Sequence, residues 1–275
     1  MDATRIAAAN YHYKRYTLGA FLRDAAESGY SSVELWASGP QLHLEDFDTT
    51  RLERLKRDLQ GHGLAARCLT PEQYVYPISL SHPDPIYRQR SVDFFIRHVE
   101  AAATLECGVM VVSTGISFLD VPREEAWNWC VDELGGLARV AEREGVDLAL
   151  EAFTRYSTHV VRTGTELATM IDAIGSPRLG AVVDVDVIAN SGLESIDDYV
   201  RAVGPRLRHV HFVDGNPGGH LLPGEGVLDM PHALKVIESS GYTGLYAMEL
   251  LDRRYIMEPV QALRAYRDWF AEQGA

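Results

Sequence analysis

Eight short apolar runs, each followed by a longer amphipathic stretch, set the strongest constraint on the fold of this chain. The runs have the length of strands and are bounded by Gly, Pro or polar residues; they read RIAAAN, SVELW, AARCL, VMVVST, DLALEA, LGAVVDV, RHVHFV and LYAMEL. Near-continuous apolar strands that alternate with helices indicate a parallel sheet covered by helices. Eight such units predict a single (β/α)8 TIM barrel spanning residues 1–275.

A doubly wound open sheet is the alternative architecture for this pattern. No glycine-rich dinucleotide fingerprint follows the first predicted strand, and its absence disfavours a Rossmann fold. No low-complexity linker divides the 275 residues. Because α/β barrels of this length commonly form one domain, we expect one domain here.

Charge and cysteine content restrict the partners and the compartment. The formal net charge of −13 is unfavourable for binding a phosphate backbone, so nucleic acid is not an expected partner. Cys68, Cys107 and Cys130 are far apart in the sequence and fit reduced thiols better than a disulfide framework. The sequence shows neither a signal-peptide pattern nor an apolar run of membrane-spanning length. We therefore expect a cytoplasmic protein without a membrane partner.

Polar residues interrupt the apolar pattern where the fifth to eighth strands end. They are Glu151, then Asp184 and Asp186, then His209, His211 and Asp214, and finally Glu249. In a barrel these ends meet at one opening, where buried carboxylates are costly unless they are paired or bind a metal. The strand ends therefore predict a divalent cation site. Oxygen ligands with one nitrogen suit Mn²⁺, Mg²⁺ or Co²⁺ better than structural Zn²⁺.

The segment LRHVHFVDG carries two of these residues on one face of its strand. His209 and His211 are two positions apart, so their side chains point the same way. Either imidazole could be a metal ligand or a hydrogen-bonded core residue.

The sequence resembles the xylose-isomerase-like sugar isomerase/epimerase superfamily. Within it, the ketose 3-epimerase branch is most similar, and fructoselysine 3-epimerases are the most similar group. The resemblance covers nearly the whole chain and is carried by FLRDAAESGYSSVELW, TPEQYVYP, LALEAF, SPRLGAVVD, LRHVHFVD, LPGEG and GYTGLYAMEL. It implies a TIM barrel, a sugar substrate and one divalent metal ion, with Mn²⁺ expected and Mg²⁺ or Co²⁺ as alternatives. A homo-oligomer is expected by the same analogy.

Residue by residue, the resemblance implies that the metal ligands are Glu151, Asp184, His211 and Glu249. It leaves His209 in the core, and it makes Asp186 a supporting or loop residue. Glu151 and Glu249 would lie on opposite sides of the cation. This arrangement predicts a catalytic pair that removes and returns the C3 proton of a ketose through an enediolate.

The early strands are expected to supply the walls of the substrate pocket. The predicted wall residues are His12, Trp36, Glu72 and Tyr76, with packing at the barrel rim as the alternative role for each. An acidic Glu72 in the pocket could attract a sugar that carries an amine.

Two positions depart from the pattern of the ketose 3-epimerases. Ser157 stands where several relatives have Glu, and Val187 stands where they have His. Pro217 also lies near the place of an expected substrate-binding Arg. Because the missing groups hold the carbonyl end of the sugar, we expect a C1-substituted, fructosamine-like ketose as the substrate.

Other activities remain open on the same fold. A lyase that eliminates a glycosidic leaving group from a 3-keto glycoside would need the same metal and base. An aldose–ketose isomerase or a dehydratase would also fit. The endonuclease branch would need more strand-end histidines and a basic surface, which the sequence lacks. The alternative that is not an enzyme is a non-catalytic sugar-binding protein, which would bind sugar without exchanging a carbon-bound proton.

Overall fold

The computed structural model describes residues 2–46, 48–74 and 77–274. Its strands form a closed parallel barrel in sequence order, with the last strand paired to the first, so the predicted TIM barrel is confirmed. The strands are β1 (Ile6–Ala9), β2 (Ser32–Ala37), β3 (Ala65–Pro71), β4 (Val109–Ser113), β5 (Asp147–Glu151), β6 (Leu179–Asp184), β7 (Leu207–His211) and β8 (Tyr246–Ala247).

The described residues contain nine α-helices. They are α1 (Leu18–Glu27), α2 (Thr49–Gly61), α3 (Pro85–Thr104), α4 (Arg123–Glu144), α5 (Gly164–Ile174), α6 (Val185–Ser191), α7 (Ile196–Val203), α8 (Met230–Ser239) and α9 (Pro259–Glu272). Side chains such as Thr17 and Thr163 cap the first turns, as Thr commonly does. Within the described ranges, we find no helix whose length and apolar character would allow it to span a membrane.

The apolar core has two layers. The larger one packs the outer face of the barrel against the helices, and a small cluster of Cys68, Val111, Ala149 and Val182 fills part of the barrel interior. Side chains two positions further along a strand lie one layer nearer its carboxyl end. The residues two positions after Ala149 and Val182 are Glu151 and Asp184. The apolar cluster is thus the floor beneath a polar layer.

Two strands end earlier than the sequence pattern predicts. β6 stops at Asp184, whose carboxylate accepts a hydrogen bond from the Val187 backbone at 2.8 Å and caps α6. Asp186 and Val187 therefore lie in the first turn of a helix. β8 stops at Ala247 because the chain turns at Met248, where the Leu250 amide donates to the Met248 carbonyl. Glu249 consequently reaches the barrel opening from a loop.

Candidate active site and metal centre

The four predicted ligands come together at the carboxyl-terminal opening of the barrel. Each of Glu151, Asp184, His211 and Glu249 offers a ligand atom, and these atoms all lie within 4.8 Å of one another. Strand register explains part of this, because Asp184 and His211 are directly paired across β6 and β7. The first three side chains are buried, and Glu249 is half-buried.

The Nδ1 atom of His211 is the point on which the three carboxylates converge. Glu249 Oε2 lies 2.7 Å from it, Glu151 Oε1 3.3 Å and Asp184 Oδ2 3.5 Å. One imidazole proton cannot serve three acceptors, and the buried Asp184 Oδ2 has no hydrogen-bond partner. A divalent cation would satisfy all of these groups at once. The residues present therefore fit a metal ion.

The same crowding perturbs the acidities of the cluster. Burial raises the pKa of Glu151 to about 7, and the charges of Glu249 and Asp184 act in the same direction. Burial also tends to raise the pKa of Asp184, but the imidazoles of His220 and His211 outweigh it and hold that pKa below its ordinary value. Two buried carboxyls of one cluster thus differ in proton affinity because their cationic neighbours differ.

The opposite edge of the His211 ring contacts Glu34, a residue that sequence reasoning missed. Glu34 Oε1 lies 3.1 Å from His211 Nε2 and also accepts hydrogen bonds from Tyr11 and Thr70, each at 2.8 Å. Its Oε2 lies 2.6 Å from Nε2 of the buried His209. Burial tends to raise the pKa of Glu34, but the two histidines outweigh it and lower that pKa. The one signal in the sequence was a Glu inside the apolar run SVELW.

A cavity of about 420 Å³ opens at this cluster, with Glu151 and Glu249 among its lining residues. Two of the four predicted wall residues, Trp36 and Glu72, line it, and so do Ser157 and Val187, the two positions that depart from the ketose 3-epimerase pattern. Burial raises the pKa of Glu72. The predicted wall residue Tyr76 lies outside the described residues.

His12, expected either to line the pocket or to pack at the barrel rim, is not among the described residues that line the cavity. It lies in a 3-10 turn after β1, and that turn directs the preceding residue, Tyr11, into the cavity instead. The His12 ring is buried, with its Nε2 atom 3.3 Å from the Pro259 carbonyl oxygen. Burial lowers the pKa of His12 to about 3.

Sequence reasoning also missed several cavity residues that come from loops. These are Gln73, Tyr74, Phe153, Asn190, His220 and Leu251. No lysine or arginine lines the cavity among the residues that the structure describes. The charged groups there are thus acidic, apart from the imidazole of His220.

His220 is held between two aspartates. Its Nδ1 atom lies 3.1 Å from Asp186 Oδ2, and its Nε2 atom lies 3.4 Å from Asp184 Oδ2. Burial tends to lower the pKa of His220, but Asp184 and then Asp186 outweigh it and raise that pKa well above its ordinary value. Asp186, predicted as a supporting or loop residue, lies in helix α6 and supports this histidine.

Comparisons with known proteins agree with the fold. The model of a family described as "Xylose isomerase-like TIM barrel" matches residues 22–273. A fructoselysine 3-epimerase from Shigella flexneri is 28% identical over 261 residues, which cover 93% of this chain and 94% of that protein. A D-psicose 3-epimerase from Agrobacterium fabrum is 23% identical over 238 residues, 84% of this chain and 78% of that one.

Solved structures of low sequence identity share the fold. The D-psicose 3-epimerase from Clostridium cellulolyticum H10, crystallised with D-tagatose, superposes with a TM-score of 0.81 at 18% identity and covers 97% of both chains. The IolI protein with a bound zinc atom superposes with a TM-score of 0.82 at 19% identity, over 98% of this chain and 97% of that one.

Proposed function

The chain is an enzyme of the xylose isomerase-like TIM barrel family, and we propose that it is a divalent-metal-dependent sugar epimerase acting at C3 of a ketose. The observation that carries the proposal is the convergence of Glu151, Asp184 and Glu249 on Nδ1 of His211 at the base of a cavity. Mn²⁺ is the expected ion, with Mg²⁺ or Co²⁺ as alternatives, because the site is rich in oxygen ligands.

The two glutamates are the proposed acid and base. Glu249 Oε2 and Glu151 Oε1 face His211 Nδ1, which leaves a second oxygen on each carboxylate for proton transfer. The bound cation would polarise the substrate carbonyl and stabilise the enediolate that follows loss of the C3 proton. One glutamate removes the proton from one face of C3, and the other returns a proton to the opposite face, which inverts the centre.

Two opposing effects act on the pKa of Glu151: burial raises it to about 7 in the protein without a cation, and a bound cation would lower it. A carboxyl whose proton affinity lies near neutrality can both accept and donate a proton. Gln73 Nε2 lies 3.5 Å from Glu151 Oε2, at the edge of the hydrogen-bonding range, and helps to orient that oxygen.

The lining of the cavity favours a neutral or cationic sugar. No lysine or arginine lines it in the described part of the chain, so a phosphorylated sugar would find neither of these usual phosphate-binding side chains there. Glu72 adds an acidic group, and the aromatic rings of Trp36, Tyr74 and Phe153 supply apolar surface. We therefore propose a fructosamine-like ketose with an amine substituent at C1. A relative that is 28% identical is a fructoselysine 3-epimerase.

Proton exchange in heavy water tests the proposal directly. Metal-stripped and Mg²⁺-loaded protein would each be incubated with a fructosamine, a free ketohexose and a 3-keto glycoside in D₂O and followed by NMR. We expect deuterium at C3 and a second epimer only with the loaded protein. Release of an aglycone would instead indicate the lyase. Sugar binding without any exchange of a carbon-bound proton would indicate a non-catalytic sugar-binding protein.

A further inference from the structure

His220 adopts a backbone conformation that is unfavourable for its residue type. Its φ angle is +49°, in the left-handed region that non-glycine residues rarely adopt. Among the described residues, Glu106 is the other non-glycine residue with positive φ. Left-handed residues other than glycine persist only where the surrounding structure holds them, and they are frequent at functional sites.

The surrounding loop is built to hold this conformation. Asp186 Oδ2 accepts a hydrogen bond from the His220 backbone N–H at 3.1 Å, and Asp186 Oδ1 accepts one from Gly218. Gly215 allows the carboxylate to approach, because a side chain at that position would collide with it. Leu221, the next residue, is hydrogen-bonded in both directions to Asp214. Asp186 thus holds His220 at two points, the backbone N–H and the Nδ1 atom of the ring.

The fixed imidazole presents its remaining nitrogen to the site. Nε2 lies 3.4 Å from Asp184 Oδ2, the carboxylate oxygen that has no hydrogen-bond partner, and His220, Val187 and Asn190 are all among the residues that line the cavity. Val187 offers no polar side-chain atom at this wall. His220 therefore supplies a polar side-chain nitrogen close to the metal cluster on that side.

We infer that His220 is a substrate-binding residue that hydrogen-bonds through Nε2 to a sugar oxygen bound beside Asp184. This inference rests on the proposed function, since it assumes that a sugar occupies the cavity. It assigns the loop after β7 a direct role in substrate affinity, with Asp186 as the residue that positions the imidazole. A substrate oxygen at this place would be recognised by the protein as well as by the cation.

The left-handed backbone allows a clean deletion of the imidazole. Glycine adopts positive φ without strain, so His220→Gly removes the ring and keeps the loop conformation. His220→Asn is the conservative variant, because Asn tolerates positive φ and retains a hydrogen-bonding group. Glu106→Gly is the matched control, since it makes the same backbone change at an exposed position that pairs with Lys56.

Binding of a sugar that cannot react separates His220 from catalysis. We would titrate the Mn²⁺-loaded variants with sorbitol, which has no carbonyl group, and measure Mn²⁺ affinity and Tm on the same preparations. We expect His220→Gly to weaken sorbitol binding by about tenfold or more, as for loss of a hydrogen bond. Mn²⁺ affinity should fall by less than sorbitol affinity, and the Tm of each variant shows that the protein is folded at the temperature of the titration. His220→Asn should recover part of the loss, and Glu106→Gly should match the wild type.

Two results would overturn the inference. Unchanged sorbitol affinity in His220→Gly would show that Nε2 does not contact the sugar. A loss of Mn²⁺ affinity as large as the loss of sorbitol affinity would show that His220 acts on the metal site, directly or through Asp184, and not on the sugar. If the wild-type protein binds sorbitol but exchanges no C3 proton in D₂O, the proposed reaction fails while the His220 result still stands. If His220→Gly binds sorbitol as tightly as the wild type and the wild type still exchanges the C3 proton, the inference about His220 fails while the proposed reaction stands.

Discussion

Glu34 Oε1 lies 3.1 Å from Nε2 of His211, on the side of the ring opposite the Nδ1 atom that faces the three carboxylates. A carboxylate behind a ligating histidine fixes the orientation and tautomer of the ring and increases its basicity. Since Glu34, His211 and the neighbouring His209 are all buried, water does not weaken the contacts between them. The contact between Glu34 and His211 therefore lets a residue of the barrel interior affect metal binding.

Removing the charge of Glu34 should weaken metal binding without removing a ligand. We expect Glu34→Gln to lower Mn²⁺ affinity by about tenfold to a hundredfold, the range found for partners of ligating histidines. Calorimetric titration would measure it, with Glu238→Gln as a control that removes a carboxylate paired to Arg5 far from the cluster. Equal affinities for Glu34→Gln and the wild type would mean that Glu34 is a core residue only.

A second prediction concerns the ligands themselves. His211→Ala or Asp184→Asn should reduce Mn²⁺ affinity by at least about tenfold, because each loses a ligand atom. His209→Asn should leave it within about threefold, since Glu34 retains its contacts with Tyr11, Thr70 and His211. The same titration measures all three variants. The reverse order, with the His209 variant losing the metal and the His211 variant keeping it, would contradict the proposed site.

Most of the architecture could be predicted from the sequence. Eight apolar runs and four polar strand ends were enough to predict the barrel and a group of polar residues at its opening, because strand ends in a barrel meet there. The choice of His211 over His209 came from the family resemblance. The sequence did not distinguish His12 from Tyr11 as the residue that faces the cavity, because a short 3-10 turn decides between them. That turn has no periodic pattern in the sequence.

The residues that sequence reasoning missed depend on long-range contacts. Glu34 is far from His211 along the chain, and only barrel closure brings β2 opposite β7. His220 lies in a loop whose path depends on Asp186, which comes from helix α6. It also depends on Gly215, which has no side chain to collide with the Asp186 carboxylate. Such contacts are not visible from spacing or alternation along a single segment.

A third prediction concerns turnover. Glu151→Gln and Glu249→Gln should each lower kcat by orders of magnitude, because each removes one of the two proton-transferring carboxylates. At least one of the two variants is expected to exchange the C3 proton of one epimer with solvent, because the remaining glutamate can still remove the proton from its own face of C3. NMR in D₂O with each epimer in turn would detect it. Near-normal turnover in either variant would contradict a mechanism with two glutamates.

A fourth prediction concerns stability at acidic pH. His98 on α3 is buried with its Nδ1 atom 2.7 Å from the Phe94 carbonyl oxygen, and burial lowers its pKa to about 4. In the unfolded chain, His98 binds its proton near pH 6.5. The contribution of His98 to the free energy of unfolding is therefore full above that pH and is lost as the pH falls toward 4. The full effect is on the order of 3 kcal/mol. His12, whose pKa burial lowers to about 3, acts in the same direction.

Denaturant unfolding at pH 7, 6, 5 and 4 would measure this dependence. We expect His98→Asn to flatten the decline in the free energy of unfolding over this range, even though the variant loses some stability at pH 7. His62→Asn is the control because its side chain is exposed, and it should keep the wild-type slope. Parallel curves for the His98 variant and the wild type would show that His98 does not cause the loss.

The last prediction concerns the substrate end that meets Ser157 and Val187. Ser157 Oγ is already hydrogen-bonded to Tyr74 at 3.0 Å and to Thr154 at 3.1 Å, and Val187 has no polar side-chain atom. A free C1 hydroxyl against Val187 would lose a partner that it had in water, at a cost of roughly 1–3 kcal/mol or about one to two decades in kcat/KM. A fructosamine should therefore be turned over more efficiently than free fructose, psicose or tagatose. Val187→His should raise kcat/KM for the free ketoses more than for the fructosamine, because it adds a hydrogen-bonding side chain at position 187 itself. Steady-state kinetics with the same metal would measure both. If the wild type prefers a free ketohexose to every substituted sugar, the two positions do not set the substrate.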